Sequence, residues 1–154
     1  MLLLTFRAAG NAYCVAARLV VEIVPSVDLR PIPHAPHYLI GLFHFRGTIV
    51  PVVDLSALLG SHRCRPSLDT RIIVMEYPVA GQSKAMLGLL AEHVNDLTKV
   101  TEDQKVSAAM SLPDAPYLGA IYRPNDILIQ TINVGELLPE SLRGSLFGEV
   151  TEEL

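Results

Sequence analysis

The octapeptide VVDLSALL at 52–59 returns at 131–138 as TINVGELL, an offset of 79 residues in a chain of 154. Three weaker matches keep the same order. YLIG at 38–41 corresponds to YLG at 117–119 with one residue dropped, VVEIV at 20–24 to VNDLT at 94–98, and a turn at Gly10 to one at Gly81. Matches in a common order imply a duplicated unit, and two copies are too few for a solenoid. A chain of this length folds as one domain or as two halves sharing a core. The repeat predicts two similar small barrels, residues 1–68 and 69–138, packed together because neither has much core of its own. Residues 139–154 remain as an acidic tail, read as either helical or disordered.

Turn residues set the class of each unit. MLLLTFR, GLFHF, TIVPVV, RIIVMEY and DILIQTINV read as strands, while AAGN, RPIPHAP, PVAGQS and YRPND interrupt them at roughly the spacing of an all-β barrel or sandwich. The three prolines of RPIPHAP cannot donate to a sheet ladder, so that segment is a loop. Between GLFHF and TIVPVV, Arg46–Gly47 forms a tight hairpin turn in which Gly47 takes positive φ. Pro51 argues that TIVPVV lies at a sheet edge or carries a bulge. Asp54 is placed to cap a short helix, LSALL, which Gly60 ends.

Half of the residues are apolar and 18% are charged, enough for a sizeable core. No stretch reaches the roughly 18 apolar residues of a membrane helix, and MLLLTFRAAG has neither a basic leader nor an apolar run long enough for a signal peptide. These features predict a cytoplasmic protein without membrane insertion, with Cys14 and Cys64 as reduced thiols. The net charge of −4 argues against nucleic acid as a partner. Residues 1–75 hold seven arginines against four acids, whereas 76–154 hold five basic and twelve acidic groups. That division fits either an ordinary surface with an acidic tail or a basic half that meets an acidic half of another molecule.

Signatures of catalysis are sparse. A phosphate-binding glycine loop, H-E-x-x-H, G-x-S-x-G and paired C-x-x-C are all missing. His34, His37, His44, His62 and Cys64 are the metal candidates, but their spacing fits no closed four-ligand pattern. The reading is therefore no catalysis, no cofactor and no metal. Glu102 and Asp103 look like a solvated helix start after Thr101. Asp54 and Asn133 hold equivalent repeat positions, which points to capping. Glu22, in RLVVEIVP, and Arg46, in LFHFRGTIV, are charges in apolar surroundings. They can pair across adjacent strands, as an internal clamp or as part of a docking surface. If the pair is partly buried, losing one partner costs roughly 3–5 kcal/mol.

The segment VVEIVPSVDLRPIPHAPHYLIGLFHFRGTIVPVVDLSALLG resembles the CheW family of chemotaxis adaptors, which shows V-x-E-I, a proline-containing loop, a glycine and then N-L-R-G-x-I-V-P-V-V-D-L. MLGLLAEHVNDLTKV and YLGAIYRPNDILIQTINVGELL are similar to later family blocks, so the resemblance covers about residues 2–138. His44–Phe45, Ala91–Glu92 and Gln130–Thr131 depart from the family pattern and mark a divergent member. The resemblance implies two similar five-stranded SH3-like barrels side by side, with short helices. It implies a non-catalytic adaptor that couples the cytoplasmic tip of methyl-accepting chemoreceptors to the regulatory domain of a CheA-like histidine kinase, in the cytoplasm at membrane-associated arrays. Carried over residue by residue, it assigns Val20, Glu22, Gly41 and Arg46 to kinase binding. Ile23, Leu87 and Val94 are the candidates to line a receptor-binding groove between the barrels, the competing reading being ordinary core packing. The alternative is a sensor that binds a small apolar molecule in that groove.

Overall fold

The computed structural model describes residues 1–60, 62–64, 67–78, 85–107 and 112–147. Their strands are β1 (Leu2–Ala8), β2 (Asn11–Ala16), β3 (Val20–Pro25), β4 (Leu39–Phe45), β5 (Thr48–Asp54), β6 (Thr70–Glu76), β7 (Met86–Lys99), β8 (Lys105–Ser107), β9 (Leu118–Tyr122) and β10 (Ile129–Ile132). Two short helices, α1 (Leu55–Leu58) and α2 (Glu140–Phe147), follow β5 and β10. The strands link in the order β3-β6-β7-β1-β2-β10-β9-β8, with β5 also pairing with β4 and β7.

This sheet curls into two barrel-like units that share β7. In the first, β3, β6, the N-terminal part of β7, β5 and β4 lie side by side. The chain beyond β3 then closes the ring. Arg30 and Leu42 exchange two backbone hydrogen bonds of 2.8 and 2.9 Å, tying residues 26–30 to β4. In the second unit the C-terminal part of β7 pairs with β1, which continues through β2, β10 and β9 to β8.

Strand pairing redraws the expected division at residue 68. The sequence copies are visible in the fold: β5 runs parallel to β7 with Val52 opposite Gly88, and β10 runs parallel to β2 with Thr131 opposite Cys14. The copies nevertheless exchange their first hairpins. β1 and β2 belong to the first copy but complete the second barrel, and β6 with the start of β7 completes the first. A repeat read along the chain cannot reveal this exchange, because either arrangement buries the same apolar faces. The turn at Gly81 lies outside the described residues.

The exchange also explains the core. One buried cluster runs through both barrels, from Phe6, Tyr13 and Val15 of the second to Val53, Ile73, Met75, Leu87 and Leu89 of the first. Each barrel keeps a smaller cluster of its own, around Val50, Val52 and Val74 in one and around Leu3, Cys14 and Ile129 in the other. The largest cluster lies at the junction, so sliding one barrel against the other would expose apolar surface at about 25 cal/mol per Å².

Local details follow the sequence reading with two exceptions. Asp54 caps α1, its carboxylate accepting from the Ala57 N–H at 3.3 Å and from the Cys64 N–H at 2.8 Å, and Gly60 follows at φ +84°. Asn133, its repeat equivalent, makes no side-chain cap to the 3-10 turn Val134–Glu136. Pro51 lies opposite Leu42 of β4, in a strand that β4 and β7 flank, so β5 is not the edge strand expected. The proline sits one residue ahead of the parallel ladder to β7, so its missing N–H interrupts nothing on that side. Of the tail, 140–147 is helical and anchored by Phe147, which stacks on Tyr77 at 5.2 Å between ring centres. Residues 148–154 lie outside the described residues.

Candidate docking groove

Two hairpins turn the same way. Ala9–Gly10 joins β1 to β2 and Arg46–Gly47 joins β4 to β5, and all four residues have positive φ. This is the signature of a type I′ turn, whose twist matches that of the flanking strands. Gly47 was expected there; Arg46, at φ 48°, was not, and its strained backbone holds the side chain against its own hairpin. The guanidinium lies 4.8 Å from the centre of the Phe45 ring and donates to the Glu22 carboxylate on β3. The expected pairing is therefore present, but the side chains are 65% and 39% exposed. A solvated pair of this kind contributes only about 0.2–1 kcal/mol, plus about 0.5–1 kcal/mol from the ring, well short of a buried clamp.

Glu22 faces an open groove of about 530 Å³ where the barrels meet. Val20, Glu22 and Ile23 form the wall from the first barrel; Leu2, Leu4 and Leu97 form the wall from the second; Ala17 lies at the crossing between β2 and β3. Ile23, Leu2 and Leu97 are 38%, 47% and 63% exposed. Three large apolar side chains left wet along one cleft mark a surface made to be covered. Among the described residues that line it, Glu22 alone is charged, and Arg46 already engages it. The cleft is an open trough without converging polar groups, unlike an enclosed small-molecule pocket, so the sensor alternative gains no support.

The structure separates the expected site residues. Ile23 lines the groove as anticipated. Leu87 and Val94 do not: at 0% and 8% exposure they are core residues on β7. Val20 and Glu22, both expected at the kinase contact, line the same groove as Ile23. Gly41 is buried inside the first barrel, and a Cβ there would come within 2.8 Å of both the Arg30 carbonyl oxygen and Leu29 Cβ. It is glycine because the closing segment passes directly over it, and it offers no surface to a partner. Leu2, Leu4 and Leu97 were missed because the second wall exists only once β1 and the end of β7 are placed together.

Among the described residues, no group of three or more His, Cys, Asp or Glu could hold a metal. His37 sits 3.2 Å from the Ala57 carbonyl through Nε2, and His34 and His44 are exposed. Burial pushes the Cys14 thiol up to about 12, and burial together with Glu92 and Asp54 pushes Cys64 up to about 11. Neither is a thiolate nucleophile at neutral pH. In place of the helix start expected after Thr101, Glu102–Gln104 forms a single 3-10 turn, and the Thr101 backbone N–H donates to Gln104 in a capping box. Among the described residues, no helix is long and apolar enough to cross a membrane.

Residues 2–141 match the family model described as CheW-like domain. The chain belongs to the CheW-like domain family. It is 34% identical over 100 residues to the chemotaxis protein CheW of Rhizobium meliloti (strain 1021), covering 65% of this chain and 61% of that protein. It is 23% identical over 134 residues to the chemotaxis protein CheW of Helicobacter pylori, covering 86% and 78% respectively. The match to the Rhizobium protein and that to a second Rhizobium relative each span about three-fifths of the relative's length. The fold is similar to that of the scaffolding protein TtCheW from Thermoanaerobacter tengcongensis, with a TM-score of 0.76, 23% identity and coverage of 96% and 90%.

Proposed function

We propose that this chain is a non-catalytic chemosensory adaptor, holding a chemoreceptor tip in the groove and a CheA-like histidine kinase at the barrel ends. The observation that carries this reading is the exposed apolar cleft at the junction of two barrels that share one core. An α-helical hairpin tip presents an apolar face of matching character, and helix-in-groove recognition needs little more than such a trough. The curated relatives named above are chemotaxis proteins, which supports the same role here.

Transmission in this reading is mechanical. Glu22 stands on the groove wall, and its partner Arg46 stands on the β4–β5 tip. A partner that disturbs Glu22 alters the preferred position of Arg46, and with it the surface the tip presents. Coupling is then a difference in contact energy between two states, acting on both partners reciprocally. Of the residues expected at the kinase contact, Arg46 on the β4–β5 tip keeps that assignment, Val20 and Glu22 both line the groove, and Gly41 is internal. The protein acts in the cytoplasm, recruited to receptor arrays. The test is co-sedimentation with vesicles carrying the cognate receptor: Leu97→Glu should abolish recruitment while leaving kinase binding intact. Recruitment at the wild-type level would exclude the groove.

A further inference from the structure

The charge around the groove indicates what its occupant carries. β7 places Leu97 and Lys99 two residues apart, so their side chains project to the same side of the strand. The register sets Leu97 opposite Leu4 and Lys99 opposite Leu2, which continues the groove wall into an exposed ammonium. Arg18, also exposed, follows groove-lining Ala17 in the 3-10 turn Ala17–Leu19. Among the described residues, neither cation is paired with a carboxylate, whereas Glu22 across the groove is engaged by Arg46. In a chain of net charge −4, two exposed cations without a carboxylate partner thus adjoin groove-lining residues.

We propose that the occupant is an apolar helical segment flanked by carboxylates, with Asp or Glu side chains set against Lys99 and Arg18. This rests on the groove being the receptor-docking site. The apolar faces supply affinity, while the rim charges select the partner and fix its register. A helix with basic flanks would meet Lys99 and Arg18 as like charges and find Glu22 already occupied, so it is disfavoured at both walls.

Two synthetic amphipathic helices of about 20 residues test this, sharing one leucine face and flanked by Glu in one and by Lys in the other. Fluorescence anisotropy at low salt should show the Glu-flanked peptide binding at least about fivefold tighter. The preference should shrink at about 0.5 M salt, where exposed charges are screened. The double variant Arg18→Glu, Lys99→Glu should reverse it; both positions are exposed, and an unchanged circular dichroism spectrum verifies folding. Equal affinity for the two peptides, or a preference that survives the double variant, overturns the charge assignment and leaves the apolar groove standing. Failure of both peptides to bind overturns the groove reading itself, and the proposal with it.

Discussion

Replacing Gly41 with alanine adds one methyl group where the closing segment crosses β4 in the first barrel. That carbon would lie 2.8 Å from the Arg30 carbonyl oxygen and from Leu29 Cβ, and the backbone there has φ +154°. Neither obstacle is the free end of a flexible side chain. The closing segment must therefore move, and it is held by the two Arg30–Leu42 hydrogen bonds. Overpacking of this kind costs about 1–3 kcal/mol, and weakening the bridge adds about 0.5–1.5 kcal/mol for each bond affected. With both bonds affected the total of about 2–6 kcal/mol is a large part of the 5–15 kcal/mol that keeps a typical domain folded. With a urea slope of about 2 kcal/mol per M, the unfolding midpoint of Gly41→Ala should fall by about 1–3 M. Gly41→Asp should fall further, because its carboxylate enters a closed space without a partner. An unchanged midpoint accompanied by lost kinase binding would refute the packing argument and restore Gly41 to the surface.

Arg46→Ala should lower stability by no more than about 1–2 kcal/mol, since its ion pair and ring contact are both solvated; a loss of 3 kcal/mol or more in urea melts would show the pair to be buried. A fragment of residues 1–68 should remain unfolded by circular dichroism, because β1 and β2 lack β10 and β3 lacks β6; a cooperative melt of that fragment would contradict the exchanged hairpins. Stability should decline as pH rises from about 9 towards 11. Burial raises the thiols of Cys14 and Cys64 and the phenols of Tyr13, Tyr38, Tyr77 and Tyr117 in the folded state, so the unfolded chain ionises first and gains the advantage. A urea midpoint constant between pH 8 and pH 10.5 would show that these groups are not held protonated.

Much of this architecture is legible from residue types. Turn residues mark the strands, Asp54 and Gly60 bracket α1, and the repeat between 52–59 and 131–138 foretells the matching ladders of β5 and β10. Partner choice is less so. Nothing local in MLLLTFR says whether β1 pairs within its own copy or with the other, and the hairpin exchange is a property of the whole sheet. The site inherits that blind spot. Ile23 is recognisable on an alternating strand, but its opposite wall, Leu2 and Leu97, comes from both ends of the repeat. Leu87 and Val94 share the apolar character of groove residues and differ only in being covered, which the sequence does not encode locally. Gly41 shows the same gap, since its neighbours Leu29 and Arg30 reach it only through barrel closure.

Sedimentation velocity of the chain mixed with a cognate receptor tip fragment and the kinase regulatory domain bears most directly on the adaptor role. Separate contacts on one chain require a ternary species, heavier than either binary complex and lost in Leu97→Glu down to the kinase-bound pair. Two binary complexes that displace each other, or a ternary complex indifferent to Leu97→Glu, would contradict it.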